Sequence, residues 1–324
     1  MNSDYKTHMG NGKMTSDDLI CPVCKTVGLI ILANELLCRN EACLHFSLPY
    51  YSVNNKPVLI DFENSLVSKS GFTSNSGASV VVRTESGIKK GLRNVLSGHS
   101  PVTKKNVNEL INLISSTESS KILVVGGGEI GAGLDILYKK FYNQIIAFDI
   151  YDSNNVDLIA DGHSIPFRSD IFDLVIIQAV LEHVLIPEKV VAEINRVMRP
   201  GGIIYAETPF MQQVHEGPYD FTRYTESGHR YLFRHFKLIH SGFTSGVGSG
   251  LLWSLDFFFS GLLRTRLAGK FIRVLFFWLR FFDRIIPFDF NIDAACGVFF
   301  MGSKSEMVFD DKAIITHYKG SQIS

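Results

Sequence analysis

The chain has 324 residues, of which 46% are hydrophobic and 20% are charged, a balance typical of a globular protein with a sizeable core. Lysine plus arginine equals aspartate plus glutamate, 32 of each, so no overall positive charge favours a nucleic-acid partner. We therefore predict a globular protein without a nucleic-acid partner.

The first 18 residues, "MNSDYKTHMGNGKMTSDD", are polar and lack the apolar core of a secretory signal. No stretch reaches the roughly 18 uninterrupted apolar residues that a membrane-spanning helix needs. We expect residues 1–18 to be disordered and the protein to stay in the cytoplasm, where thiols are kept reduced.

Four of the five cysteines lie close together, in the pattern C-x2-C, thirteen residues, then C-x4-C. Two cysteine pairs on facing turns can place four thiolates around zinc, which then supplies folding energy that a small module lacks. We predict a zinc-ribbon-like domain over residues 19–63 with structural zinc held by Cys21, Cys24, Cys38 and Cys43. The alternatives are His45 in place of Cys43, buried thiols without a metal, and catalytic cysteine chemistry.

Residues 64–102 are rich in serine and glycine, which predicts a linker with at most one short helix. From residue 103 to 324, strand-like and helix-like segments alternate, as in "KILVVG", "GAGLDILYKKF", "QIIAFDI", "FDLVIIQAV", "PEKVVAEINRVM" and "GIIYAETP". Such alternation predicts an α/β domain with a parallel sheet covered on both faces.

The first strand of this domain runs into a glycine turn, "GGGEIGAG", in which Gly126, Gly128 and Gly131 satisfy G-x-G-x-x-G. Asp149 ends the next strand. Both features fit a dinucleotide site, but Glu129 opens the following helix, where a carboxylate would repel a pyrophosphate. The same carboxylate tolerates a ligand that carries a sulfonium group.

The segments "DLIADGHSIPF", "FDLV", "LEHV" and "RPGG" follow in order. With them, residues 103–303 resemble the class I S-adenosylmethionine-dependent methyltransferases of type 11, which implies a Rossmann-like, seven-stranded sheet with helices on both faces. Val125 departs from the family, which often has an acidic residue before the turn. The N-terminal segment, ending in "KPVLIDF", is similar to zinc-ribbon domains that accompany methyltransferases, with asparagine where a glycine is expected.

The resemblance implies a cofactor site for S-adenosylmethionine. Asp149 would bind the ribose hydroxyls and Asp161 the adenine amino group. The predicted site residues are Gly126, Gly128, Gly131, Asp149, Asp161, Gly162, His163, Gln178 and Ala179. The alternative for both aspartates is ordinary solvation or capping at a strand end.

Methyl transfer to a hydroxyl needs a base within hydrogen-bond reach of the acceptor. Our candidates for this base are His183, in "LEH", and His215, in the segment after the fifth strand. Dense polar and aromatic residues there suit a small-molecule or glycan acceptor, and the candidate acceptor-binding residues are Glu182, Tyr219, Asp220, Arg223 and Tyr224. Alternatively, His183 only orients the strand–helix turn, and Arg223 pairs structurally with Asp220.

Residues 249–290 form a hydrophobic and basic insert between two predicted strands, "FKLIHSGF" and "CGVFFMGSK". On one continuous helix, its cations would form a single stripe of Arg266, Lys270, Arg273, Arg280 and Arg284. One interpretation is peripheral contact with the inner face of the membrane, which would make a lipid-linked acceptor plausible, as in surface-polysaccharide assembly. The other is a pair of helices that caps the acceptor site or forms a homodimer.

We therefore predict an S-adenosylmethionine-dependent methyltransferase that favours O-methylation. The alternatives are an NAD(P)-dependent oxidoreductase and a non-catalytic protein that binds S-adenosylmethionine.

Overall fold

The computed structural model describes residues 13–26, 28–33, 35–74, 100–114 and 120–322. By their contacts, these residues divide into two compact units. The first contains the described residues up to 74, Ile111–Gln178 and Ile186–Ile204; the second contains residues 100–110, Ala179–Leu185 and 205–322.

The cysteine-rich segment of the first unit begins with an antiparallel hairpin of β1 (Leu29–Leu32) and β2 (Glu35–Cys38). A 3-10 turn at Leu44–Phe46 follows the second cysteine pair. Leu29 and Leu36 of the hairpin are fully buried, so apolar packing accompanies the cysteines. The apolar runs "LIIL" and "ELLC" form the two strands.

The main part of the first unit is a mostly parallel sheet whose strands are nearly continuous apolar runs, as expected of strands buried on both faces. Its order is β9-β8-β5-β6-β7-β4-β3. The strands are β3 (Ser52–Val53), β4 (Lys56–Leu59), β5 (Ile122–Val125), β6 (Ile145–Asp149), β7 (Leu158–Ala160), β8 (Phe172–Gln178) and β9 (Met198–Pro209), whose end belongs to the second unit. The predicted α/β class is confirmed.

The strand β4 extends this sheet, although the sequence places "KPVLIDF" in a separate domain ending at residue 63. Val58 lies opposite Ile159 of β7 in parallel register. Val58 and Leu59 are almost fully buried. The apolar run therefore adds a strand to the sheet between β7 and β3. The cysteine-rich segment and the sheet form one unit.

Residues 13–18, which the sequence places in a disordered N-terminus, form a capped 3-10 turn at Ser16–Asp18. The Thr15 backbone N–H donates to Asp18, and Lys121 forms an ion pair with Asp18 at 2.9 Å. Residues 1–12 lie outside the described part of the chain. So do residues 75–99 of the predicted linker, whose described residues include helix α1 (Lys69–Ser74).

A glycine and a proline set the starting points of two of the next three helices. Helix α2 spans Pro101–Ile114, and α3 spans Asp135–Phe141. The sequence predicts the second of these from residue 131, but Gly133 has a φ of +82°, which delays the helix. Helix α4 (Pro187–Val197) begins at its proline, as predicted, and buries Val190 and Ile194.

The second unit contains β10 (Phe236–Ser245) and β11 (Gly297–Lys304), which pair antiparallel in the order β10-β11-β9. Its helices are α5 (Glu226–Leu232), α6 (Val247–Leu262), α7 (Arg266–Leu275), α8 (Phe288–Asp293) and α9 (Ala313–His317). The insert thus lies between the two predicted strands. None of the helices in the described ranges combines the length and apolar character needed to cross a membrane.

The single cationic stripe predicted for the insert is wrong. Helix α7 ends at Leu275, and a separate 3-10 helix, Phe277–Arg284, carries the last two arginines. Arg280 is half-buried there, and burial lowers its pKa. The break between α7 and the 3-10 helix therefore separates the cations of α7 from Arg280 and Arg284.

His229, in helix α5, is a buried ionisable group that the sequence does not single out. It is 1% exposed, neither ring nitrogen has a hydrogen-bond partner among the described residues, and its ring contacts Phe233 edge-on at 5.0 Å. Burial lowers its pKa to about 3, although the charge of Glu226 opposes this shift. The imidazole is therefore neutral in the folded protein.

Because the folded pKa of His229 lies below the unfolded value of about 6.5, the unfolded chain binds more protons as the pH falls below that value. We expect His229 to remove up to about 1.4 kcal/mol of stability per pH unit between pH 6 and 4. His229→Phe should flatten this part of the pH profile in urea unfolding. The exposed His240→Gln is the control, and an unchanged slope in His229→Phe would contradict the prediction.

Candidate active site and cysteine cluster

The glycine turn after β5 presents bare backbone, as the motif predicts. Gly126 has a φ of +73°, which favours glycine. A Cβ on Gly131 would lie 1.8 Å from Oε1 of Gln178, and one on Gly127 would lie 2.8 Å from the Ala147 side chain. Larger residues are therefore excluded from the turn, including at Gly127, which the motif does not specify.

Asp149 lies directly beneath this turn. Its carboxylate accepts the backbone N–H of Gly128 at 2.9 Å and that of Ile150 at 2.7 Å. Ser153 and Asn155 donate to the carbonyl of Gly128 at 2.7 and 3.0 Å and fix the turn from the other side. These two residues were missed, although "SNN" after a strand is a turn signal.

Asp161 caps the short helix Gly162–Ser164 and is 4% exposed. It accepts hydrogen bonds from Ser65 at 2.6 Å and from the backbone N–H and Nδ1 of His163 at 2.9 and 2.7 Å. Burial raises the pKa of Asp161, but these hydrogen bonds outweigh it and hold the pKa below the ordinary value. The contact from Ser65 was missed because nothing in the linker composition points to it.

His163 and Gly162 serve the same turn. Nε2 of His163 accepts the backbone N–H of Ile186 at 3.3 Å, so both ring nitrogens have partners within the chain. A Cβ on Gly162 would only touch Val190, at 3.4 Å. In this structure, both residues shape the loop that carries Asp161.

Strand β8 ends at Gln178, whose amide donates to the Ala132 carbonyl of the glycine turn at 3.2 Å. Ala179, the first residue of the second unit's segment Ala179–Leu185, has a φ of +55°. A non-glycine residue in this region stores about 1 kcal/mol or more of strain, and such residues cluster at functional sites. Its N–H donates to the Glu207 carbonyl at 3.0 Å, which holds the strained conformation.

The first unit thus offers a backbone cradle and two buried carboxylates at strand ends. This donor set fits S-adenosylmethionine, whose ribose and adenine present hydroxyl and amino donors. Glu129, which the sequence places at the start of the following helix, lies within the turn, ahead of the start of α3 at Asp135. Gly126, Gly128, Gly131, Asp149 and Asp161 are the residues that could hold the cofactor.

In the second unit, Glu182 is a carboxyl group enclosed by the protein. It is 1% exposed, and neither side-chain oxygen has a hydrogen-bond partner among the described residues. Burial raises its pKa to about 8, although the charge of Arg223 opposes this. Its backbone carbonyl accepts the N–H of Phe221 at 2.8 Å and that of Thr222 at 3.3 Å, which anchors the loop after β9.

The two candidate catalytic histidines both lie next to this carboxyl, and their rings meet edge to face at a centroid distance of 5.0 Å. Nδ1 of His183 is 2.7 Å from the Tyr219 carbonyl, and Nδ1 of His215 is 3.2 Å from the Gln213 carbonyl. Because a carbonyl only accepts, each Nδ1 donates to its carbonyl and each Nε2 is directed towards the carboxyl. The Nε2 atoms lie 3.6 and 3.9 Å from Oε1 of Glu182.

These positions bring together three residues that the sequence separates by up to 33 places. The distances exceed a normal hydrogen bond, so the three groups face each other without bonding. Burial lowers the pKa of His183, which keeps that imidazole neutral. The cluster therefore presents two basic nitrogens beside a buried carboxyl.

The loop after β9 is held by Arg223. Its guanidinium donates to both carboxylate oxygens of Asp220 and to the carbonyls of Gln212, Gln213 and Thr222, which uses all five N–H donors. Burial raises the pKa of Asp220, but Arg223 and the N–H of His215 outweigh it and hold the pKa far below its usual range. Arg223 thus has no N–H left for an acceptor in this arrangement.

An open groove of about 480 Å³ lies along this loop. It is lined by Gln212, Gln213, Val214, Asp220, Phe221, Thr222, Arg223 and Phe257. The glutamines, Phe221 and Phe257 were missed as lining residues. Of the candidate acceptor residues, Tyr219 is exposed and offers its carbonyl to His183, and the Tyr224 ring lies beside His229 at 6.0 Å.

The four cysteines of the first unit converge on one point. Their sulfur atoms all lie within 4.8 Å of one another, with Cys21–Cys43 at 3.7 Å and Cys24–Cys38 at 3.4 Å. Zinc–sulfur bonds of about 2.3 Å place tetrahedral thiolates roughly 3.7 Å apart, so the four residues fit a zinc ion. His45 stacks on Tyr50 and bonds the Leu48 carbonyl, so Cys43 and not His45 completes the cluster.

Comparison with known proteins gives one match to a family model. Residues 123–206 match the model described as "Methyltransferase domain". This range contains the glycine turn, Asp149, Asp161 and the cluster residues Glu182 and His183. No curated protein matches the chain.

Solved structures with a similar fold share little sequence with this chain. A putative sarcosine dimethylglycine methyltransferase from Galdieria sulphuraria is 13% identical, with a TM-score of 0.42, over 72% of this chain and 97% of that one. Phosphoethanolamine N-methyltransferase 2 from Haemonchus contortus is 14% identical, with a TM-score of 0.43, over 66% of this chain and 56% of that one. The [4+2]-cyclase SpnF is 13% identical, with a TM-score of 0.37, over 62% of this chain and 80% of that one.

The match to the family model and the order of the motifs agree with the mostly parallel sheet and its glycine turn. Residues 123–206 are therefore similar to a methyltransferase domain.

Proposed function

We propose that this protein transfers the methyl group of S-adenosylmethionine to a hydroxyl oxygen of a polar, glycan-type acceptor. The observation that carries the proposal is Asp149, buried beneath a bare glycine turn in a domain that matches the methyltransferase model. In the proposed site, Asp149 accepts the ribose hydroxyls and Asp161 accepts the adenine amino group. Gln178 and Ala179 border the cofactor at the end of β8.

The proposed reaction is an in-line displacement. The acceptor oxygen forms a bond to the methyl carbon, the carbon–sulfur bond breaks, and the sulfur keeps the electron pair. The hydroxyl proton is lost at the cluster of Glu182, His183 and His215, whose carboxyl and ring nitrogens lie 3.6 and 3.9 Å apart. A hydroxyl must lose its proton to attack efficiently, whereas a neutral amine attacks without a base. A cluster of candidate bases therefore favours a hydroxyl acceptor over an amine.

The groove beside this cluster supports a sugar-like acceptor. Its walls combine amide groups from Gln212 and Gln213 with the rings of Phe221 and Phe257. Amides bond hydroxyl groups and aromatic rings cover the apolar faces of a sugar. A volume of about 480 Å³ lies within the range of small-molecule sites, roughly 300–1,000 Å³.

The methyltransferase chemistry can be tested directly. We expect calorimetry to detect binding of S-adenosylmethionine and to detect no binding of oxidised NAD. With labelled methyl donor and a panel of sugar nucleotides and lipid-linked sugars, mass spectrometry should show a methylated hydroxyl product. His183→Ala and His215→Ala should each lower turnover by at least about 100-fold while cofactor binding is retained.

The rival functions give different results in the same assays. Binding of oxidised NAD without S-adenosylmethionine would replace the proposal with an oxidoreductase. Binding of S-adenosylmethionine with no transfer to any acceptor would favour a non-catalytic binding protein. Turnover unchanged in both histidine variants would remove the proposed role of the cluster.

We also propose that the insert docks on an anionic membrane surface at the cytoplasmic face and that the acceptor is lipid-linked. Fifteen exposed large apolar side chains lie between Leu251 and Phe290 among the described residues, including Leu267 (73% exposed) and Phe271 (66%). Patches of this extent are rare on proteins without a partner. These exposed side chains therefore indicate a surface that contacts a partner in the functional state.

The charges around this apolar surface favour lipid over a second protein copy. Residues 249–290 contain six lysines and arginines but three aspartates. Two of those aspartates are engaged inside the protein: Asp256 pairs with Arg273 at 3.1 Å, and Asp283 accepts from Ser249 at 2.6 Å. The cations Arg264, Arg266, Lys270 and Arg284 remain exposed beside the apolar residues, which suits anionic lipid headgroups.

We expect the protein to float with anionic vesicles in a density gradient and to do so less at high salt. Leu267→Glu with Phe271→Glu should abolish flotation. Met307→Glu with Ile315→Glu is the matched control, because these side chains are 75% and 79% exposed outside the insert. Failure to float would contradict membrane docking. A dimer that Leu267→Glu with Phe271→Glu dissociates would show that a second copy of the chain covers this surface.

Finally, we propose that the four cysteines hold one structural zinc ion. The support is the convergence of their sulfur atoms at tetrahedral spacing. The Tyr50 hydroxyl lies 3.0 Å from the Cys21 sulfur, where it can donate to a thiolate. Zinc would then fix the hairpin of β1 and β2.

A further inference from the structure

We propose that Glu182, His183 and His215 form a second metal site, which binds a divalent transition-metal ion such as Mn²⁺, Fe²⁺ or Co²⁺. Two histidines and one carboxylate with open positions form a ligand set that such ions prefer. The inference deepens the proposed function, because it states how the cluster acts on an acceptor hydroxyl. Metal binding itself can be measured whether or not methyl transfer occurs.

The first observation is the direction of the ligand atoms. One carboxylate oxygen of Glu182 and one ring nitrogen from each histidine lie within 4.8 Å of one another. Ligands about 2.1 Å from a shared ion lie roughly 3.0–3.4 Å apart, so the observed separations of 3.6 and 3.9 Å need only small side-chain shifts.

The second observation is the carboxyl group itself. Both oxygens of Glu182 are buried and have no hydrogen-bond partner among the described residues. Leaving such a group unsatisfied costs about 1–3 kcal/mol or more, so native proteins seldom keep one without a ligand. A cation at the two Nε2 atoms would satisfy it.

The third observation is how the histidines are held. Each donates Nδ1–H to a backbone carbonyl, from Tyr219 and Gln213 respectively. Metal-binding histidines are oriented in this way, because the second nitrogen fixes the tautomer and directs Nε2 to the ion. With both nitrogens bound to metal, a coordinated acceptor hydroxyl would lose its proton to water because the cation lowers its pKa.

Mn²⁺ is the appropriate probe, because this hard ion competes poorly for the four thiolates of the cysteine cluster. The full chain, adjusted to one zinc ion per chain and with no excess zinc, is titrated with Mn²⁺, and free Mn²⁺ is followed by its electron paramagnetic resonance signal. We expect about one bound Mn²⁺ per chain. Glu182→Gln and His215→Gln should each weaken binding by at least about tenfold.

His240→Gln is the matched control, because this exposed histidine also faces a carboxylate, Glu109, at 2.9 Å. It should bind Mn²⁺ as the parent does. Thermal melts show whether each variant is folded, and His183→Gln replaces any variant that is not. The proposal is overturned if the parent binds no Mn²⁺ or Co²⁺, or if Glu182→Gln binds them as tightly as the parent.

Calorimetry with S-adenosylmethionine separates this proposal from the proposed function. Cofactor binding without Mn²⁺ or Co²⁺ binding would remove the metal site and leave methyl transfer in place. Metal binding without cofactor binding would leave the metal site in place and contradict the proposed methyl transfer.

Discussion

Asp149→Ala is expected to weaken binding of S-adenosylmethionine by about 10²–10⁴-fold. Two hydrogen bonds from ribose hydroxyls to a carboxylate contribute about 1.5–3 kcal/mol each, and every 1.4 kcal/mol is a factor of ten. The same change also removes the acceptor for the N–H groups of Gly128 and Ile150, which loosens the turn. Calorimetry on the full chain measures the dissociation constant.

Two variants sharpen this experiment. Asp149→Asn keeps the shape of the side chain and should lose less affinity than alanine. Asp152→Ala changes a carboxylate three residues away that binds Lys56 at 2.7 Å and is not assigned to the cofactor. We expect it to bind S-adenosylmethionine like the parent, and an Asp149→Ala variant within threefold of the parent would contradict the proposed site.

Removal of zinc is expected to unfold the hairpin of β1 and β2. Zinc supplies roughly 10–16 kcal/mol of apparent free energy to isolated zinc-finger peptides, far more than the short strands could contribute. Elemental analysis should find about one zinc ion per chain in the parent. In Cys38→Ser we expect most of that zinc to be lost, with fast hydrogen exchange across residues 29–38.

Cys296→Ala is the matched control, because this buried cysteine lies outside the cluster in the second unit. It should keep the parent's zinc content. A parent protein that contains well under one equivalent of zinc, or a Cys38→Ser protein with slow exchange in the hairpin, would contradict the structural role. Because Val58 anchors the same segment to β7, we expect the sheet beyond it to stay folded.

The strands and main helices could be predicted because their signals are local. Buried runs such as "ILVV" and "FDLVIIQ" became β5 and β8, and the proline at residue 187 marked the start of α4. Local signals do not identify partners, however. The run "KPVL" reads as a strand, but nothing in it shows that it pairs with Leu158–Ala160.

The candidate site was predictable to the same extent. Glycine and aspartate positions follow from a motif with fixed spacing, and the structure places Gly128 and Asp149 in contact. Ser65 reaches Asp161 from 96 residues away, through a segment whose composition suggests only a linker. The enclosure of Glu182 by His183 and His215 also depends on tertiary packing, which a single sequence does not reveal.

The pairing of β4 with β7 has a consequence for biosynthesis. Val58 leaves the ribosome about 100 residues before its partner Ile159, which at about 5–20 residues per second is a delay of roughly 5–20 s. During translation, β4 therefore remains without its partner strand β7 for this time.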